Sequence, residues 1–442
     1  MNLSFQRLKD TLRDGKGEPY KNARNLASGS ARSYDPANCA GRGVHYMAFN
    51  VLEGMDDLEF PDSRHAKIQH LQELGFDICP YLFFTAPVMD EESMTSAIER
   101  LKNYAKEKNL PIDGIVIIYD SLSYSKACGR TGHHYKDGLA FKFEDEQYET
   151  ILREIQWTTT RFGELAPVAI FDTIEMDGCD VSRASLHNLT FIKELELAIG
   201  CRIAVSKRNM IIPHVEENLD RGRYVDTAPP VCPCCSSKTR IHKRKGNDNR
   251  IIETVHCDNP ACSSQILKKF VHFVGKKAMD IEGLSEATLE KFLTLGYLSS
   301  FTDIYHLDQY AEQIKALEGF GEKSYARLDA AINASRNTSF VRYLVAMDIP
   351  MIGRTKSRIL DQVFDGNLEV FRDAAVGNYD FTSLEDFGET LDHNIHDWFS
   401  DEDNLKLWDE LQTEFTFEKR KEETIMMKEN VFTGCTIVAT GK

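Results

Sequence analysis

The chain has 442 residues, 42% of them hydrophobic, a formal net charge of −16 and eleven cysteines. That length exceeds one ordinary core and predicts about three domains. No apolar run approaches the ~18 residues that cross a bilayer, and the start MNLSFQRLKD lacks the basic and then apolar layout of a secretory signal. A cytoplasmic protein without membrane contact is therefore expected, with cysteines that serve as thiols and metal ligands rather than disulfides. The acidic total does not exclude nucleic acid, because affinity for phosphate follows local patches. Much of the excess acid lies in 361–429, whereas Lys268, Lys269, Lys276 and Lys277 cluster.

In chain order, residues 1–148 mix strand-like runs (Val44 to Asn50, Ile115 to Tyr119, Leu139 to Phe143) with one polar helical stretch, Glu91 to Lys108. They predict an α+β unit. Within the last run Lys142 lies between Phe141 and Phe143, and strand alternation sends it to the face opposite both. Arg24 and Arg32, eight residues apart, share a face if their stretch is helical, which would suit a bidentate grip on phosphate. From 149 to 225, short β-rich runs between Gly, Asp and Asn turns predict a small antiparallel barrel of OB size. Pro229, Pro230 and Pro233 mark the boundary that follows.

Cys232 and Cys235 frame a C-x2-C turn, and Cys257 and Cys262 frame a C-x4-C turn, with a polar, basic insert from Ser236 to His256 between them. Two such knuckles bring four thiolates into the tetrahedron of a closed structural Zn²⁺ site, so one zinc is expected over 226–263. Cys234 is the spare thiol, since using it in place of Cys235 would tighten the first knuckle to C-x-C. Lys238, Arg240, Lys243, Arg244 and Lys245 in the insert point to phosphate.

Beyond Ser264 the pattern turns helical and repeats. Ile281-Glu-Gly-Leu-Ser285, Leu317-Glu-Gly-Phe-Gly321, Ile349-Pro-Met-Ile-Gly353 and Leu384-Glu-Asp-Phe-Gly388 each precede a helical run, and their last positions lie 36, 32 and 35 residues apart. An apolar residue between two glycines at a helix start is what a helix-hairpin-helix needs, because the bare turn lets backbone N–H groups approach a DNA phosphate. The second and third copies suit phosphate best, through Gly319, Gly321, Lys323, Gly353 and Arg354, with Arg327 and Lys356 nearby. Glu385, Asp386 and Glu389 make the fourth copy a better scaffold than a phosphate site.

A barrel, a four-cysteine module, a hairpin array and then Val431-Phe-Thr-Gly-Cys-Thr-Ile-Val-Ala-Thr-Gly441 follow in that order, which resembles the bacterial NAD⁺-dependent DNA ligases. The last stretch is similar to the opening strand of their BRCT domain. Local motifs agree with the resemblance. Tyr20-Lys-Asn-Ala-Arg-Asn-Leu-Ala-Ser-Gly-Ser-Ala-Arg32 is similar to the Arg-Asn-x-x-x-Gly segment of the adenylation domain, Asp113-Gly-Ile-Val-Ile to motif IV and Leu139-Ala-Phe-Lys-Phe143 to motif V. Arg161-Phe-Gly-Glu-Leu-Ala-Pro-Val-Ala169 and Leu186-His-Asn188 are similar to the barrel. The division this implies is 1–148, the C-terminal part of an adenylation (nucleotidyltransferase) domain; 149–225, an OB-fold; 226–263, a four-cysteine zinc finger; 264–425, a tandem helix-hairpin-helix DNA-binding domain; and 426–442, the start of a truncated BRCT domain.

The resemblance also implies the chemistry. Such ligases attack the adenylyl phosphorus of NAD⁺ with a lysine and release nicotinamide mononucleotide, pass AMP to the 5′-phosphate of a nick and seal the strand when the 3′-hydroxyl displaces AMP, using Mg²⁺ (or Mn²⁺). In-line displacement at phosphorus needs cations against developing negative charge. Lys142, Arg24, Arg32, Asp113 and Arg161 are the implied catalytic residues, and Lys142 and Ile118 the positions beside the cofactor. Nicked double-stranded DNA is the implied partner of a protein acting as a monomer.

The chain also departs from that pattern. Ile118 stands where motif IV ends in lysine, and Lys207-Arg-Asn-Met-Ile-Ile-Pro213 replaces a more regular turn. The family's nucleophilic Lys-x-Asp-Gly is expected upstream of the segment matching residue 1; the nearest approximation here, Lys136-Asp137-Gly138, lacks the intervening residue. Two expectations stand open, a fragment of a longer ligase or one half of a split one, bacterial or viral, whose partner polypeptide supplies the nucleophile. A non-catalytic nick- or junction-binding protein is the alternative of a different class.

Overall fold

A computed structural model describes residues 3–418, apart from 9–10, 14–18, 21–22, 34, 52–54, 56–60, 86–89, 109, 130–134, 144–145, 177–178, 209–211, 223–224 and 247–248. The expected BRCT strand and the centre of the Lys207 to Pro213 turn lie outside the described residues.

The first unit carries α1 (Leu3–Leu8), α2 (Ala23–Ala31), α3 (Pro36–Gly41), α4 (Arg64–Glu73) and α5 (Glu91–Glu107), then β1 (Gly114–Ile118), α6 (Leu122–Ala127) and β2 (Gly138–Lys142). Each of α3 to α6 opens on a polar cap whose side chain accepts a backbone N–H: Asp35, Ser63, Asp90 and Ser121. The expected strand at Val44 to Asn50 is reduced to a single parallel bridge, Ala48 to Ile78. Tyr46 and Phe49 in that run stay 68% and 64% exposed, with no neighbouring strand among the described residues to extend a ladder. β1 and β2 pair antiparallel, with Gly114 opposite Lys142 and Ile118 opposite Gly138. A buried ion pair pins α4 beneath them, Arg64 Nη2 to Asp137 Oδ2 at 2.8 Å.

The barrel follows as β3 (Tyr148–Thr159), β4 (Glu164–Met176), β5 (Cys179–Ser185), α7 (Leu189–Glu194), β6 (Arg202–Arg208) and β7 (Ile212–Asn218). The pairing runs β3-β6-β7-β5-β4 and returns from β4 to β3, so five strands close on themselves. Its two leading strands are longer than expected and bend at register shifts between Leu152 and Glu154 and between Ile170 and Ile174. Such irregularities let a long strand serve both sides of a small barrel. Leu152, Met176, Leu186, Ile192, Ile203, Val205 and Val215 fill the interior and are fully buried.

Next come β8 (Thr239–Lys245) and β9 (Ile251–Cys257), an antiparallel hairpin. β9 also pairs with the start of β4, Glu164 to His256 and Leu165 to Val255, so the hairpin extends the barrel sheet. Leu165 and Val255 share one buried cluster with Cys232, Cys257 and Cys262.

The helical part is α8 (Ser263–Val274), α9 (Glu286–Thr294), α10 (Ala311–Lys315), α11 (Glu322–Ser335), α12 (Phe340–Ala346), α13 (Arg354–Val363), α14 (Leu368–Val376), α15 (Glu389–Ser400) and α16 (Glu402–Gln412). One aromatic-rich core holds it, with Phe273, Phe292, Tyr343, Phe371, Phe381 and Trp408 essentially inaccessible. A short parallel pairing of β10 (Asn337–Thr338) with β11 (Thr416–Phe417) ties its end back to its middle.

Candidate nucleotide and nucleic-acid site

Asp113 immediately precedes β1 and Lys142 ends β2, and the register that sets Gly114 against Lys142 makes them neighbours. A Cβ on Gly114 would stand 2.4 Å from the Phe141 carbonyl oxygen, so glycine is what lets the strands cross this closely. Lys142 Nζ donates to Asp113 Oδ2 at 2.6 Å, and both side chains are about half exposed. The hydrogen bond from Lys142 holds the Asp113 carboxyl below its ordinary range against a smaller opposing effect of burial, and the charge of Arg24 adds to the lowering. Three of the expected catalytic residues thus gather in one exposed, cation-rich corner. Arg24 lies on α2 and Arg32 just past its end; both are exposed, and Arg32 shows no contact with this group among the described residues. Phe141 and Phe143 meet edge to face, and Lys102 of α5 stands 5.2 Å over the Phe143 ring.

Opposite residues of an antiparallel pair share a face, so Lys142, Gly114, Val116 and Ile118 lie on one side of the two-stranded sheet. Ile118 is 43% exposed on the Lys142 side, roughly 13 Å along the strand.

Arg161 is elsewhere. It sits in the β3–β4 turn, where Gly163 adopts φ +81° and a Cβ would meet the Cys257 carbonyl at 2.5 Å. Its Nε donates to both carboxylate oxygens of Asp348, at 2.7 and 2.9 Å. Asp348 lies between α12 and α13, is largely buried, and also faces His272 of α8 at 3.4 Å. Burial pushes the Asp348 carboxyl up, with His272 and Arg161 acting against that push. Arg161 therefore links the barrel to the helical part rather than joining Lys142.

The four repeats share one backbone form. Ser285, Gly321, Gly353 and Gly388 are the N-caps of α9, α11, α13 and α15. Two residues earlier, Gly283, Gly319, Met351 and Asp386 all have left-handed φ, from 62° to 97°. Their helix starts differ in how the amides are used. Ser285 caps its own helix through Thr288, and the Gly321 N–H donates to Ser324 Oγ at 2.9 Å. The caps Gly353 and Gly388 provide no side-chain acceptor. Lys323, Arg327 and Arg354 are exposed and form no ion pair among the described residues. Lys356 instead donates to the Asp386 carbonyl and lies 5.1 Å over the Phe387 ring, binding the third hairpin to the fourth loop.

Cys232, Cys235, Cys257 and Cys262 converge, with Sγ–Sγ separations of 3.4 Å (Cys235–Cys257) and 4.0 Å (Cys232–Cys262). Four sulfurs at the ~2.3 Å Zn–S bond of a tetrahedron stand about 3.8 Å apart, so the set fits zinc. A hydrogen bond from Ser237 draws the Cys235 thiol down to about 5, while burial pushes Cys257 up to about 12. Holding every sulfur as thiolate requires a cation among them. Cys234 is exposed and outside this set.

Comparison with known proteins supports the first two units. A family model described as "NAD-dependent DNA ligase adenylation domain" matches residues 1–146, and "NAD-dependent DNA ligase OB-fold domain" matches 149–227. A DNA ligase of Lachnoclostridium phytofermentans is 35% identical over 422 residues, 96% of this chain and 62% of its own length. One from Ruminiclostridium cellulolyticum is 34% identical over 96% of this chain and 62% of its own length, and one from Persephonella marina 32% identical over 99% and 60%. The chain thus spans about three-fifths of the length of these relatives. In its adenylation and OB-fold portions the chain belongs to the NAD-dependent DNA ligase family.

Proposed function

We propose that the protein takes part in NAD⁺-dependent sealing of 5′-phosphate/3′-hydroxyl nicks in duplex DNA, in replication and repair, through adenylated enzyme and adenylated DNA. The observation that carries this reading is the exposed Lys142–Asp113 ion pair, whose carboxylate also feels the charge of Arg24. When bound, NAD⁺ supplies an activated adenylyl phosphate. Lys142 and Arg24 would offset negative charge on its phosphate oxygens, and Asp113 would keep the Lys142 ammonium aimed. Arg32 would extend the same cationic surface, and Ile118 would line it. Mg²⁺ (or Mn²⁺) is the divalent ion the family implies.

Downstream, Gly353 with Arg354, and Gly319 to Lys323, would hold the sugar–phosphate backbone of nicked DNA through helix-start amides and exposed cations, the Gly321 amide first leaving Ser324. Zinc at Cys232, Cys235, Cys257 and Cys262 would be structural. The segment 426–442 would begin a BRCT domain. The nucleophilic lysine would come from a Lys-x-Asp-Gly segment outside residues 1–442, on a longer form of the chain or on a separate polypeptide, and the protein would act in the cytoplasm as a monomer.

A nick-sealing assay with that N-terminal segment added in trans tests the reading. Sealing should appear with the wild-type chain and fall at least about a hundredfold in Lys142→Ala, comparable to loss of one preorganised donor. Nick binding without sealing under every combination would instead identify a non-catalytic DNA-binding protein.

A further inference from the structure

The β8–β9 hairpin carries a second cluster of metal-ligating side chains, on the face opposite the cysteines. Arg240 pairs with His256 and His242 with Thr254, so these four share one face of the hairpin. Val255 and Cys257, one residue to either side of His256, turn inward and are 1% exposed. His242 and His256 stack with ring centroids 4.1 Å apart and planes within 8°. Asp258 joins them, with its Oδ1 3.4 Å from His242 Nε2. One nitrogen from each histidine and one Asp258 oxygen all lie within 4.8 Å of one another.

We infer that His242, His256 and Asp258 form a binding site for a divalent transition-metal ion, separate from the four-cysteine site. Two ligands at the ~2.0–2.1 Å bonds of a tetrahedral ion stand about 3.4 Å apart, which is the separation His242 and Asp258 already have. The second imidazole needs to close by no more than about 1.5 Å to the same spacing. Two imidazoles and one carboxylate suit borderline ions such as Zn²⁺, Co²⁺ and Ni²⁺, and three protein ligands leave positions for water. The hairpin register brings both histidines to one face, but the in-plane lone pairs of stacked rings do not converge, so binding requires one ring, the exposed His242, to turn out of the stack toward the ion. Thr254 Oγ1 lies 2.9 Å from His256 Nε2, where it can orient the ring so that the other nitrogen faces the ion. Arg240 Nε, 3.5 Å from Asp258 Oδ2, is the competing partner of the carboxylate and must give up that oxygen or share it.

The test is the zinc content per chain after equilibrium dialysis of the full chain against micromolar Zn²⁺, read by plasma mass spectrometry for wild type, His242→Ala and Asp258→Asn. His242 and Asp258 are substantially exposed, so neither change threatens the fold, and circular dichroism checks this. The expected result is a loss of one equivalent in His242→Ala relative to wild type, whatever the wild-type count. Asp258→Asn should bind that equivalent at least about tenfold more weakly. Imidazole ¹⁵N spectra of the wild type should shift two histidine rings as that equivalent binds, and the shifts should vanish in His242→Ala. An equal zinc content in wild type and His242→Ala would overturn the inference, and the four-cysteine site cannot disguise that result because it contributes equally to both.

Discussion

Lys142 and Asp113 show how a single contact prepares chemistry. The carboxyl is held low because ionised Asp113 accepts from the Lys142 ammonium. Its contribution to stability is therefore present above the unfolded carboxyl pKa and fades as pH falls through the lower folded value. With both groups half exposed that contribution is at most about 1 kcal/mol. Asp113→Asn should accordingly leave thermal stability nearly unchanged and yet reduce sealing, because the lysine loses its aim; equal sealing in wild type and Asp113→Asn would show the pair to be incidental. Ile118 stands where the resembled motif ends in lysine, and its place on the Lys142 face means that Ile118→Lys adds charge to the same surface. Sealing rates of Ile118→Lys against wild type measure whether that end of the strand reaches the nucleotide, a rise being the expected outcome. The strand alternation of Phe141, Lys142 and Phe143 was readable in the sequence because a period of two needs only local geometry. Arg161 was not. Its partner Asp348 is 187 positions away, and no local pattern announces a contact at that separation.

At the scale of elements, the repeat of loop and helix start was legible where glycine marks it. Gly283 and Gly319 stand at left-handed positions, but Met351 and Asp386 adopt the same φ without glycine. Spacing therefore revealed these two copies, while residue type concealed their backbone. Gly353 has β-region φ, and a Cβ there would meet nothing within 4 Å, so neither conformation nor space in the protein itself demands glycine. Gly353→Ser should raise stability by a few tenths of a kcal/mol, because a serine cap accepts the first amides of α13. The same cap competes with a phosphate for those amides. Affinity for nicked duplex should fall several-fold, equally for unrelated sequences and with a retained steep salt dependence. Unchanged affinity would assign the hairpin a scaffolding role.

The same scale governs the bridge between barrel and helices. Asp348 has its carboxyl raised by burial, so in the folded state it holds its proton more tightly than in the unfolded chain. It opposes folding above the raised pKa, and that opposition is relieved as pH falls through it. Arg161→Ala removes the cation that offsets the burial and should cost about 1–3 kcal/mol at neutral pH, with the loss shrinking on acidification. Denaturant titrations of both proteins at two pH values check the sign. A pH-independent difference would mean that Arg161 contributes packing alone.

Across the whole molecule, the order of barrel, cysteine module and helices was readable because each has its own local signature: β-rich runs, paired cysteines, helical periodicity. How they join was not. Paired spacing alone describes the cysteine knuckle as an independent bead, yet β9 pairs with β4, the Gly163 carbonyl accepts from the Cys257 N–H at 2.8 Å, and the cysteines share a buried cluster with Leu165. Chelation, or Cys257→Ser, should therefore lower the melting temperature of the barrel as well as unfold 232–262. Calorimetry with the barrel transition unmoved would show that the knuckle stands alone.

The most direct measurement is transfer of label from adenine-labelled NAD⁺ to protein, with residues 1–442 alone and with the Lys-x-Asp-Gly segment added, resolved by denaturing electrophoresis. On the proposed reading the nucleophile lies outside residues 1–442, and a covalent step cannot proceed without it, however well the phosphate is held. The chain alone should therefore carry no label, and the added segment should become labelled, less so beside Lys142→Ala. Label on the isolated chain would contradict this, with Lys136 the first residue to substitute.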